Sequence, residues 1–135
     1  MIESASPAEA KVPEVLRASR EAFARHAWQE AFEKLSEADA TTLLEGPDLE
    51  SLAMAAFFAG HADLRTGILE RTFAAYQRAG DTIRAAYAAL EVASSFMLRG
   101  KMSVASAWTR RADHLLAGQA ESYAHGFLAL LQSGL

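Results

Sequence analysis

Cysteine is absent from this chain, and so is asparagine. The first absence removes disulfides, thiolate nucleophiles and cysteine-based zinc sites together. The second leaves no N-x-[ST] acceptor for glycosylation. Prolines number 3 in 135 residues, so little interrupts a helix, and aromatic side chains make up only 9%. Long apolar runs are also missing: the longest stretch with a single charge, Ala85 to Leu98, contains Glu91 and is too short to span a bilayer. The N-terminus lacks the basic-then-apolar pattern of a signal peptide. These absences together predict a cytoplasmic protein with no membrane contact.

Alanine, by contrast, occurs 30 times. It is the best helix former, and its small side chain lets helices approach closely. With hydrophobic residues at 51% and charged ones at 22%, the composition fits one folded domain with a sizeable core. Net charge is −4 and uneven: residues 1–50 carry 11 acidic and 5 basic side chains, residues 51–135 carry 6 and 8. An acidic domain without a concentrated basic face is a poor duplex binder, so no direct nucleic-acid binding is expected.

Apolar spacing predicts an all-α fold of about seven helices and no sheet. Residues 1–12 read as a flexible lead-in, and a helix begins at Pro13, which suits a first helical position. The second helix runs from about Trp28 to Ala38, and the third from Leu49 to Ala59 with Asp48 as its N-cap. The fourth spans Asp63 to Arg78, and Asp81 caps a fifth that ends at Gly100. That fifth helix is apolar nearly all round, which predicts burial on several sides. The sixth covers Met102 to Leu116 with Val104, Trp108, Ala112 and Leu115 on one stripe, and the seventh about Gln119 to Gln132.

Superposing Trp28, Ala62 and Met102 aligns three helix pairs (13–46, 47–80, 81–118), separated by 34 and 40 residues, with 119–133 left as a capping helix. In that register one position is small throughout: Ser19, Ala53 and Ala93. Positions in the second helix of each pair read Ala31, Arg65, Ala105 and Ala38, Thr72, Ala112. Small residues here let neighbouring helices close up, and larger ones fill the groove between pairs.

The stretch from Leu16 to Ala117 resembles tetratricopeptide repeats, which implies a right-handed superhelical stack of antiparallel helix pairs. It departs from that pattern at Arg65, at the 40-residue spacing, and at Leu43, Gln77 and Ala117, which replace the closing proline. More narrowly, Gly60-His61-Ala62-Asp63, Glu70-Arg71, Tyr76, Gly80-Asp81, Ala107-Trp108, Arg111-Ala112 and His125-Gly126-Phe127-Leu128-Ala129-Leu130 are similar to the helical region of actinobacterial LuxR-type transcriptional regulators. In that family further repeats and a DNA-reading helix-turn-helix follow, and neither pattern is visible in this sequence. The resemblance therefore implies a regulatory or oligomerising part.

No catalytic or metal constellation emerges. His26 and His61 sit at turns, and His114 and His125 lack the i, i+4 partner of a metal face. Gly100-Lys101-Met102-Ser103 has no glycine four residues upstream, and a turn between paired helices explains it better than a phosphate loop. Arg110-Arg111 reads as a solvated helix edge. No enzyme activity and no cofactor is expected.

The better candidates line the concave face that the resemblance implies: Arg20, Phe23, Glu50, Met54, Phe57, Tyr87, Ser94 and Met97. Such a groove suits an apolar or amphipathic peptide. Phe57 and Met97 read equally as groove or core, while Phe23 and Tyr87 fit core more readily. In the last helix Tyr123, Ala124, Phe127, Leu128, Leu130, Leu131 and Leu135 spread over about 160°, whereas one contact with the preceding pair needs a stripe of only roughly 100°. The excess is expected to meet a following repeat of a longer protein, or a second copy through Tyr123, Phe127, Leu128 and Leu131. Two functions remain open at this point: a protein-interaction or oligomerisation module, and a small ligand-binding sensor with an internal apolar pocket.

Overall fold

The glycines and turn residues divide the chain where the pattern places them. The computed structural model describes residues 7–134, and among these it holds seven α-helices and no strand. They are α1 (Pro7–Ala24), α2 (Trp28–Thr41), α3 (Gly46–Phe58), α4 (Ala62–Ala79), α5 (Thr82–Leu98), α6 (Met102–Leu116) and α7 (Tyr123–Gly134). The all-helical expectation holds. No helix among the described residues is long and apolar enough to cross a membrane.

Several boundaries differ for local reasons. α1 starts at Pro7, not Pro13, because Ala8, Glu9, Ala10 and Lys11 are strong helix formers behind a proline at the first position. Residues 7–12 of the expected lead-in are thus helical, and residues 1–6 of it lie outside the described residues. α3 begins at Gly46 with Glu45 as its N-cap, so Asp48 lies in the first turn and caps nothing. Its carboxylate instead takes two hydrogen bonds from the Arg20 guanidinium, at 3.0 and 3.3 Å. α7 begins at Tyr123, where Ser122 N–H donates to His125 Nδ1 at 3.1 Å, closing the first turn as a capping box does.

Four inter-helix turns, after α1, α3, α4 and α5, share one hydrogen-bond pattern. After α3, Gly60 N–H donates to Phe57 O and His61 N–H to Ala56 O; after α5, Gly100 N–H donates to Met97 O and Lys101 N–H to Phe96 O. Gly60 and Gly100 hold φ at +91° and +74°, the left-handed conformation this C-cap requires. After α1 the same bonds run from His26 N–H to Phe23 O and from Ala27 N–H to Ala22 O, with His26 at φ +59°. A side chain in that conformation costs roughly 1–2 kcal/mol. His26→Gly should therefore be more stable than His26→Ala by roughly 1 kcal/mol, since both lose the ring and only alanine keeps the strain. Urea melts of the two variants check this, and equal midpoints would contradict it.

The contacts divide the chain into two compact units, residues 1–65 and 66–135, with the division inside α4. In the first unit α2 packs on α1 and on α3. Ala22, Ala31 and Ala55 form an alanine contact backed by Phe23, Ala27, Trp28 and Phe32. In the second unit α5 packs on both α6 and α7, and α6 also meets α7. α5 buries Ala85, Ala86, Ala88, Ala89, Leu90, Val92 and Ala93, so it is covered on several sides as its composition predicts. The three aligned small residues Ser19, Ala53 and Ala93 are all buried, as are Ala31 and Ala105. Two buried hydroxyls are satisfied within their own helices, Thr72 Oγ1 donating to Ile68 O and Thr109 Oγ1 to Ala105 O, while Thr66 Oγ1 pairs with Ser95 Oγ on α5. In α6 the buried stripe is Ala105, Thr109, Ala112 and Leu116; Val104 is exposed, and Trp108 and Leu115 only half-buried.

Candidate functional site

Large apolar side chains left in solvent are the feature to explain in the first unit. Met54, Phe57 and Phe58 stand on α3 with 46%, 51% and 56% of their surface exposed. Met54 lies one turn before the two phenylalanines, so the three share the solvent side of the C-terminal half of the helix. The Phe57 and Phe58 rings meet edge to face, centroids 5.2 Å apart. Phe58 stacks on Trp28 at 4.9 Å, joining the end of α3 to the start of α2. Trp28 in turn meets Phe23 edge to face at 5.2 Å and His26 face to face at 5.1 Å. At the other end the Arg65 guanidinium lies 5.8 Å from the Phe57 ring centroid.

The result is a continuous strip from His26 through Trp28, Phe58 and Phe57 to Arg65, flanked by Met54. Its rings brace one another, so little side-chain freedom is left to lose when something binds. Its chemistry is apolar area, ring faces and edges, and a cation at one end. That is equipment for binding a hydrophobic side chain or an aromatic residue.

Of the eight groove candidates, five belong to the first unit and three to the second. Met54 and Phe57 lie on the strip, and Phe23 is half-buried beneath it against Trp28. Arg20 is exposed but engaged with Asp48, tying α1 to α3, and Glu50 is half-buried one turn before Met54. Tyr87 and Met97 pack on the core of the second unit, and Ser94 is half-buried. The Tyr87 ring sits 5.1 Å from Phe127 and 5.3 Å from Tyr123. Phe58 and Trp28 escaped the sequence reading. Phe58 neighbours a residue already assigned to the groove, and Trp28 served only to mark the repeat. The available signal was position: an aromatic that ends one helix and another that starts a helix of the same pair of turns.

The self-association candidates divide by burial. Leu128 and Leu131 are 7% and 8% exposed and belong to the core of the second unit, with Ala124 fully buried beside them. Phe127 packs against the same core, while Tyr123 and Leu130 remain exposed. The wide apolar fan exists because α7 rests on two helices, α5 and α6, where one contact was assumed. Leu135 lies outside the described residues.

His61 and His125 are both engaged in hydrogen bonds. His61 stacks on Phe32 at 4.3 Å and shares a 3.2 Å hydrogen bond with the Gln29 amide oxygen. His125 Nε2 lies 3.3 Å from Leu116 O, which makes it the donor to that carbonyl and leaves Nδ1 to accept from Ser122. Among the described residues no three of His, Asp or Glu converge as a metal-holding group. Compared with models of known protein families the chain matches none, and no curated protein sequence matches it significantly.

Proposed function

We propose that this protein is a non-enzymatic interaction module whose first unit holds an apolar or amphipathic peptide from a partner protein. The observation that carries this reading is the strip of Met54, Phe57 and Phe58, large side chains that stay about half exposed while leucines and alanines fill the core. Contiguous exposed apolar surface of this kind marks interaction sites, and methionine beside aromatics adapts to varied apolar side chains. Residues 1–65 carry 12 acidic and 6 basic side chains, so a partner segment with basic residues beside its apolar anchors is favoured.

The helix pairs are assigned to the tetratricopeptide-like class. The 34-residue step from Trp28 to Ala62, each the first residue of a helix, supports this, as do the buried small residues Ser19, Ala53 and Ala93. By the resemblance of the Gly60-His61-Ala62-Asp63 run and the Ala107-Trp108 segment, the module is placed as the regulatory helical part of a LuxR-type transcription regulator. In that role its partner is protein and DNA contact is left to other segments.

Selection of displayed peptides on the full chain tests the reading. Enriched peptides should carry two or three large apolar residues at helical spacing with a neighbouring Lys or Arg. Met54→Glu and Phe57→Glu, both at exposed positions, should each weaken the selected peptide by roughly tenfold or more. A peptide that binds both variants as tightly as the natural chain would overturn the site.

A further inference from the structure

The second unit contains a cleft with a different chemistry. It lies between α4 and α6, has a volume of about 450 Å³, and is lined by Phe73, Gln77, Ala107, Arg110, Arg111, His114 and Leu115. On α6 these residues fall at i, i+3, i+4, i+7 and i+8, one continuous face; on α4 Phe73 and Gln77 are one turn apart. The volume lies in the range of small-molecule sites, roughly 300–1,000 Å³. It is an open cleft, unlike the internal apolar pocket that the sensor reading of the sequence implied.

Its floor is apolar, formed by Phe73 and Leu115 with Trp108 behind. The Phe73 and Trp108 rings meet edge to face at 5.3 Å. The Arg111 guanidinium lies over both, 4.4 Å from the Trp108 centroid and 5.7 Å from that of Phe73. A guanidinium stacked this way uses its face and keeps its in-plane N–H groups for an acceptor, in the fork geometry that matches a carboxylate. Arg110, Gln77 and His114 also line the cleft, and among the described residues none of the three side chains has an ion pair or hydrogen bond. No Asp or Glu lines it. Residues 66–135 carry 7 basic and 5 acidic side chains, a sign opposite to that of the first unit.

We propose that the α4–α6 cleft binds a small organic anion, a carboxylate on an aromatic or short alkyl body. Arg110 and the Arg111 edge hold the carboxylate, Gln77 adds an amide donor, and the body covers Phe73 and Leu115. An inorganic anion would leave that apolar floor wet, and a neutral ligand would leave two guanidinium groups without their acceptor. The site does not depend on the strip in the first unit.

4-Phenylbutyrate, added to the full chain and followed by the indole N–H signals in NMR, tests this directly. The Trp108 signal, identified by its loss in Trp108→Phe, should move and saturate, while the Trp28 signal stays still. 4-Phenylbutanamide, the neutral isostere, should bind roughly tenfold more weakly, and so should the acid to Arg110→Ala and to Arg111→Ala. Lys101→Ala, which removes a positive charge outside the cleft, should leave binding unchanged. The exposed Arg110 side chain has no hydrogen bond or ion pair to lose among the described residues, so its variant reads binding even if Arg111→Ala unfolds. Equal binding of the amide would reduce the cleft to an apolar surface and overturn the proposal. So would saturation by inorganic phosphate at the same concentration, intact binding by Arg110→Ala, or movement of both indole signals together.

Discussion

Leu128→Glu combined with Leu131→Glu is expected to release α7 from the second unit, at a cost above the roughly 2–5 kcal/mol of truncating one buried leucine. Both side chains are buried with Ala124 against a core that includes Leu90, Ala93 and Leu116. Each glutamate would lose that apolar burial and also place a carboxylate within an apolar cluster, so the unit must open or the group must take up a proton. Urea melts at two protein concentrations separate this from a surface effect. The loss should be the same at both, because the contacts lie within one chain. Unchanged stability with a smaller particle in light scattering would instead restore these leucines to a self-association surface.

Ala93→Leu is expected to destabilise the protein by about 1–3 kcal/mol through overpacking. Ala93 is fully buried in the cluster that also holds Leu90, Ala112 and Leu128. α5 is packed on α6 and on α7, so a longer side chain there has no free side to turn to. Arg110→Ala, at an exposed position, should change stability by no more than about 0.5 kcal/mol. Denaturant melts that place the two variants in the reverse order would refute the alignment of Ser19, Ala53 and Ala93.

Much of the fold was readable along the chain because it rests on local rules. Helices α2, α4 and α6 start at Trp28, Ala62 and Met102, the residues superposed to find the repeat. The stops were marked by Gly60 and Gly100, whose conformation serves a C-cap whatever surrounds it. His26 fills the equivalent turn without being glycine, so that turn carried no sequence mark. Asp81 was correctly read as a cap, accepting from Arg84 N–H at 3.2 Å. Asp48 was misread as one, because a carboxylate near a helix start also serves an arginine 28 residues away. Sequence spacing does not distinguish those two uses.

Site residues were legible in part, for a related reason. Met54 and Phe57 were named because helix geometry places them on one face, and they are exposed. Phe58 and Trp28 were not, since their stacking joins residues 30 positions apart. Arg110 and Arg111 were read as a solvated edge, and an edge they are. That the edge borders a cleft depends on Phe73 and Gln77 from another helix.

By itself, then, the sequence determined the helical class, the number of helices and the positions of most turns, because propensity, capping and the small-residue repeat act over a few residues. It also determined that α5 is enclosed, since a helix apolar on all faces has no stable exposed orientation. Tertiary structure alone decided how many neighbours each amphipathic helix has. That number turned the broad face of α7 from a surplus into two contacts, with α5 and α6. It also decided that the compact units divide within α4, between Arg65 and Thr66. The physical reason is common to both. A hydrophobic pattern records that a side chain leaves water, but the surface that receives it comes from residues far away in the chain.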